Sequence, residues 1–200
     1  MSETGVVKFT CEHVGSVLPE CAGLHELNAC RRKLLQLRLI GVDAGGIGYG
    51  NLSVRDPGTP AFYITGSGTS GLAQLGLEHV AKVSAYDFAR NWLRCEGGTV
   101  ASSESLTHAA IYAADSNAAA VIHCHSPALW KRLLASAPST PADVEYGTPE
   151  LAHAITELFR TTDAKERKIL AMGGHVDGVL AFGATLDDAL RALLLAIATH

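Results

Sequence analysis

The residues best equipped for chemistry crowd into one short run, 118–127, which reads AAAVIHCHSP. Small and β-branched apolar residues lead into it, as in a strand, and on a strand residues two apart point to the same face. His123 and His125 therefore share a face and Cys124 turns to the other. Two neutral imidazoles on a stiff backbone are two legs of a tetrahedral zinc-type site, which still needs one or two ligands from elsewhere. The plainer alternative makes one of them a core histidine and the other a surface one.

Two residues can supply the missing legs. His175 follows a strand expected over 168–172, in a Gly173-Gly174 turn that lets its ring approach the end of a neighbouring strand. Glu104 stands at the start of a helix expected over 105–114, just ahead of the His-Cys-His strand. Three histidines and one carboxylate hold a divalent ion and leave room for substrate, provided the carboxylate is displaced or the coordination expands. Taken singly, each histidine also has a structural explanation.

Three further stretches suit an anion. In 41–56, GVDAGGIGYGNLSVRD, glycines crowd a loop before a short alternating strand, so backbone amides and the Asn51 side chain can face a negative charge; a tight turn into a strand is the alternative. After a strand at 61–65 comes GSGTSG, whose Gly66, Gly68 and Gly71 fit the GxGxxG pattern. The glycines that follow make a poor helix and no βαβ unit surrounds them, so a small-anion loop through Ser67 and Gly68 is preferred to a dinucleotide site. Ser102 and Ser103 precede the 105–114 helix, where hydroxyls serve equally as N-caps and as anion ligands.

The elements that must position these residues follow from periodicity. Residues 24–40 read as a helix ended by Gly41, 80–92 as a strand and its sequel, and 96–99 as a turn. A short helix is expected at 127–134, then a Pro-rich loop, then a helix over 149–160 with proline at its first position. Strands follow at 168–172 and 176–182, and Thr185 caps a last helix that runs to 198. Residues 1–23 read as an N-terminal arm on one domain spanning 1–200.

Composition bounds the rest. Two hundred residues, 48% of them hydrophobic, bury a core without disulfides, and of five cysteines with no CxxC most read as small buried hydrophobes. A formal charge of −4 leaves no basic footprint. Arg31-Arg32-Lys33 reads as a solvated helix face, so no nucleic acid partner is expected. The opening MSETGVVKFT shows neither a charged n-region nor an apolar h-region and the longest apolar stretch is too short to span a bilayer, so the expectation is a soluble, cytoplasmic protein with no membrane contact.

Five motifs in order carry a resemblance: GN-x-S at Gly50 to Ser53, IT-x-SG at Ile64 to Gly68, SSE with a histidine four residues on at Ser102 to His108, H-x-HS at His123 to Ser126, and Gly174-His175. Together they are similar to the class II aldolase/adducin family, in particular its fuculose-phosphate aldolase branch, over nearly all of the chain after residue 24. The resemblance implies an α/β fold, a three-layer α/β/α sandwich around a largely antiparallel sheet, assembled as a homotetramer. It implies zinc, or another divalent transition metal, on His123, His125 and His175. Glu104 would be the acid/base residue, which in some members also touches the metal. Asn51, Ser67, Gly68, Ser102 and Ser103 would form a phosphate cradle.

The implied activity is that of a lyase cleaving or forming a carbon–carbon bond next to a ketone in a small sugar, hydroxy-ketone or sugar phosphate, with the enediolate charge stabilised by a Lewis acid. The alternatives are a related dehydratase, decarboxylase or epimerase, or a non-catalytic scaffold like the adducin head. Glu104, where the epimerase branch has Asp, favours aldol cleavage, and the retained histidines speak against the scaffold. His108 and Ser126 also match motif positions, but packing accounts for them. The departures are Gly48 where fuculose-type members carry Thr, His175-Val176-Asp177-Gly178 in place of His-Gly, and no secure counterpart of their interface tyrosine, for which Tyr146 is the candidate.

Overall fold

A computed structural model describes residues 8–21 and 23–199. Its strands are β1 (Thr10–Gly15), β2 (Gly41–Val42), β3 (Gly48–Tyr49), β4 (Asn51–Arg55), β5 (Phe62–Thr65), β6 (Val80–Asp87), β7 (Trp92–Gly97), β8 (Ala120–His125), β9 (Ile169–Ala171) and β10 (Gly178–Gly183). The α-helices are α1 (Leu24–Gln36), α2 (Ser105–Ala114), α3 (Pro127–Ser136), α4 (Pro149–Thr161), α5 (Ala164–Arg167) and α6 (Leu186–Ala198). Of the expected N-terminal arm, residues 1–7 and Ala22 lie outside the described residues, and the part described contains β1.

Strand alternation sorts the molecule into layers. On β4 and β8, Leu52, Val54, Ala120, Ile122 and Cys124 pack with Leu27 and Leu34 of α1, Leu129 of α3 and Leu190 of α6. Val121 looks the other way, into a cluster with Leu106 and Ile111 of α2 and Ile155 and Phe159 of α4. The result is a three-layer α/β/α sandwich. Its eight-stranded sheet runs β1-β7-β6-β5-β4-β8-β10-β9, antiparallel at every pairing except the parallel β1–β7 edge. Because neighbours on one strand alternate, His123 and His125 emerge on the α2/α4 face, and Cys124 is buried on the opposite one, as the sequence suggested.

Four local expectations need correction. Helix α1 stops at Gln36, short of Gly41: Arg38 adopts a positive φ of 57°, Leu39 and Ile40 are buried, and the Leu39 carbonyl accepts from the His125 amide at 2.9 Å. Residues with strong helix propensity thus leave the helix to seat the end of β8. Arg31 is fully buried, not solvated; with Leu27 and Leu34 it occupies the i, i+4, i+7 stripe that faces the core. The turn read at 96–99 begins inside β7, whose last residues pair with β1. Finally, the serines before α2 are not its caps: Glu104 holds the N-cap position and makes no side-chain cap bond, while the Ser102 carbonyl accepts from Ser105. The five cysteines are free thiols, and no helix among the described residues is long and apolar enough to cross a membrane.

Candidate metal centre and its cleft

Three strands deliver the site. β8 ends at His125 between β4 and β10, with Asn51 opposite His123 and Gly178 opposite His125. Gly50 enters β4 at φ 77°, a conformation L side chains rarely adopt, and a Cβ built there lies 2.8 Å from Ile40 Cβ and 3.1 Å from the His123 carbonyl oxygen. His175 comes from the turn between β9 and β10, held by bonds from its amide to the Met172 carbonyl and from the Gly178 amide to its own carbonyl. Gly174 is needed there because Val144 crosses so close that a Cβ would lie 2.6 Å from its carbonyl carbon.

The three imidazoles converge. Their ring centroids are 5.1, 5.1 and 4.9 Å apart, and one nitrogen from each lies within 4.8 Å of the others. His125 Nε2 and His175 Nε2 approach to 3.0 Å. Ligation at about 2.0–2.1 Å in tetrahedral geometry would set such nitrogens about 3.3 Å apart, a few tenths of an ångström from the spacing of this pair. Burial, and then the proximity of the other rings, pushes His123 well below the ordinary histidine range; burial does most of the same work at His125 and brings His175 down to about 3. All three are neutral at pH 7, the protonation state a metal requires of them. His123 Nε2 is buried with no hydrogen-bond partner. The donor set and this orphaned nitrogen fit a divalent metal ion.

Glu104 lies beside the triad at the N-terminal end of α2. Its Oε1 is 3.9 Å from His175 Nδ1, and it is not one of the three groups in the tight cluster. Burial raises its carboxyl to about 7 against the lowering effects of a 2.6 Å hydrogen bond from Thr107 and of the Lys8 charge. With His175 neutral the two do not form an ion pair, and Glu104 Oε1 has no partner.

A cleft of about 380 Å³ opens over these groups. Its walls bring together every residue expected at the site: the three histidines and Glu104, with Asn51, Ser67, Gly68, Ser102 and Ser103 around them. Gly68 has φ 75° and open space where a Cβ would stand. The family profile described as "Class II Aldolase and Adducin N-terminal domain" matches residues 35–197. The chain belongs to this family.

Solved structures agree on the class II aldolase fold. L-fuculose 1-phosphate aldolase is 21% identical, with a TM-score of 0.65 over 90% of this chain and 84% of that one. YgbL from Klebsiella pneumoniae is 18% identical, at 0.64 over 87% and 84%. An aldolase II superfamily protein from Pseudomonas syringae is 18% identical, at 0.55 over 90% and 74%. At these identities the likeness is one of fold. No curated protein matches the chain.

Ser70, Tyr49 and the place of Arg31 at this class II aldolase site escaped the sequence reading, whereas Gly48, Tyr146 and His108 figured in it. Ser70 lines the cleft, and its hydroxyl donates to the Gly50 carbonyl at 3.1 Å. A Cβ on Gly48 would lie 3.0 Å from that hydroxyl, so Ser70 fills the space beside the missing side chain. Arg31 reaches under the same loop and donates from Nη2 to the carbonyls of Thr69, Ser70 and Leu72 at 3.1, 3.3 and 2.8 Å. Tyr49 packs on His125 at 5.5 Å between ring centroids, and Tyr146 packs edge-on against His175 of its own chain at 4.6 Å, under the Lys8 ammonium. His108 is wholly buried, with Nδ1 2.7 Å from the Ser53 hydroxyl, which in turn lies 2.7 Å from that of Tyr112.

Proposed function

We propose that this chain is a metal-dependent lyase of the aldolase type, which cleaves or forms a carbon–carbon bond next to a ketone in a small sugar or sugar phosphate. The observation that carries the reading is the convergence of three neutral imidazoles beside a buried carboxyl, in a cleft lined by serines and glycines. His123, His125 and His175 would hold the ion. Zinc suits the ligand type, and another divalent transition metal can substitute. When bound, the ion supplies Lewis acidity to the adjacent oxygens of a hydroxy-ketone.

Glu104 moves the proton. Burial raises this carboxyl above the ordinary carboxylate range, against which a bound cation would act, and a group so placed can return a proton to the carbon freed by bond cleavage and take one from that carbon in the reverse direction. Thr107 holds one carboxyl oxygen and leaves Oε1 for the substrate. Such acid–base help contributes about 10^2 to 10^4 in rate. Glu104 is also the candidate for a fourth, displaceable metal ligand. Asn51, Ser67, Gly68, Ser102 and Ser103 form the anion cradle, which selects a phosphorylated substrate over its dephosphorylated analogue. Asn51, Ser102 and Glu104 are buried, which strengthens their polar contacts.

The same reading takes the chain as a homo-oligomer. Val176, adjacent to His175, is 61% exposed, and Ile47 leaves apolar surface at the cleft; a second copy would cover such a rim.

The test is metal analysis of the purified protein combined with a cleavage assay on small sugar phosphates and non-phosphorylated hydroxy-ketones, before and after chelation. Stoichiometric metal and chelator-sensitive cleavage are expected, with both abolished in His123→Ala and His125→Ala. A protein that holds no metal and cleaves nothing in the panel overturns the reading. Sedimentation equilibrium checks the oligomer.

A further inference from the structure

His123 offers the triad only one nitrogen. Its Nδ1 lies 3.3 Å from Asn51 Nδ2, so Nε2 is the atom left for ligation, and that atom has no partner. Asn51 Oδ1 is also buried without a partner. These observations conflict with a metal site as the amide stands: an Nδ2–H donating to Nδ1 puts the ring proton on Nε2, the nitrogen that must be bare. A half-turn of the carboxamide exchanges its oxygen and nitrogen, which have nearly the same shape. Oδ1 then accepts from Nδ1–H, its unsatisfied state ends, and Nε2 carries a lone pair.

From this geometry, and resting on the metal-dependent reading above, we infer that Asn51 is a positioning residue: its side-chain carbonyl accepts the His123 Nδ1 proton and so fixes the tautomer that presents a bare Nε2 to the metal. The fold supports the pairing. Register between β4 and β8 sets Asn51 directly opposite His123, and the two side chains leave the sheet on one face. Asn51 is 7% exposed and His123 2%, so water does not compete for the bond. Gly50, whose Cβ-free backbone lies against the His123 carbonyl, keeps the strands in that register. Partners of this kind on a ligating imidazole contribute about 10- to 100-fold in metal affinity.

Zinc affinity, read by competition with a chromophoric chelator, and long-range proton–nitrogen NMR of histidine-labelled, metal-free protein test the assignment. In wild-type metal-free protein His123 is expected as the Nδ1–H tautomer. Asn51→Ala is expected to weaken zinc binding about 10- to 100-fold and to release His123 into a mixture of tautomers. Asn51→Asp keeps an acceptor at the same place and is expected to restore both. An Nε2–H ring in the wild-type protein overturns the inference without recourse to any variant, and so does unchanged affinity in Asn51→Ala. Wild-type protein that takes up no zinc instead sinks the metal reading, and this inference with it.

Discussion

Replacing Glu104 by Gln is expected to stabilise the metal-free protein at neutral pH while removing most of the turnover of the metal-loaded one. Burial lifts this carboxyl from an ordinary 4.5 to about 7 in the fold. At about 1.4 kcal/mol for each tenfold change in acidity, ionised Glu104 costs the native state about 3 kcal/mol. The sign follows from proton counts. Below 4.5 both the folded and unfolded chains carry the proton; between 4.5 and 7 the unfolded chain releases it and the folded one does not, so stability falls as pH rises; above 7 the full loss is in place. A neutral amide has no such dependence.

The stability difference between Glu104→Gln and wild type should therefore be near zero at pH 4.5 and grow to about 3 kcal/mol at pH 8, or about 6–12 °C in melting temperature for a chain of this length. Gln keeps an acceptor for the Thr107 hydroxyl, while its amide meets the space where Oε1 has no partner, so this gain is an upper value. Urea titrations of the chelated proteins at half-unit pH steps read the difference directly. A difference that is flat from pH 5 to 8 would refute the argument that burial dominates this group. Repeating the series with zinc separates the two roles of the carboxyl: equal stabilisation by metal in both proteins makes Glu104 a proton carrier only, and a smaller effect in the variant makes it a ligand as well.

Other perturbations have equally definite outcomes. His108 is held neutral in the fold, lowered to about 3 by burial, and so contributes stability that is complete above pH 6.5 and lost as pH falls; His108→Gln, compared with wild type by urea unfolding, should gain about 1.4 kcal/mol for each pH unit below 6.5. Gly50→Ala forces a side chain into left-handed backbone against Ile40 and is expected to cost about 3 kcal/mol and lower zinc uptake, read by denaturation and metal analysis. Arg31→Met removes the donor shared by three loop carbonyls, so hydrogen exchange over residues 66–72 should quicken by about 1–3 kcal/mol of local opening while exchange in β8 stays slow.

What could be read from the sequence was whatever a short spacing decides. His123 and His125 on one face and Cys124 on the other follow from strand period alone, and Thr185 before an acidic turn marks the cap of α6, where its hydroxyl accepts from the Asp188 amide. Arg31 carried a readable signal that composition hid: three basic residues in a row suggest solvent, but adjacent positions on a helix lie about 100° apart and only Arg31 falls in line with Leu27 and Leu34. Strand β7 is harder: Leu93 and Cys95 alternate onto the α2/α4 core with Arg94 exposed between them, but its last residues, Glu96 and Gly97, open a turn-like EGGT run and stay in the strand through pairing with β1.

The approach of His175 to His125 is a different kind of fact. It requires two residues fifty positions apart to be set by separate close contacts: Gly174 beneath Val144 on one side, and the Leu39 carbonyl on the end of β8 on the other. No local period encodes either contact, since each joins an irregular segment to a strand end. The glycines are where these demands surface in the sequence, because only a missing Cβ lets two backbones come so near. Ligand residues can be proposed from their types, but whether they meet is decided by the small residues beside them, and the sharpest test of the centre is therefore to enlarge Gly50 or Gly174 and ask whether the histidines, left chemically intact, still bind metal.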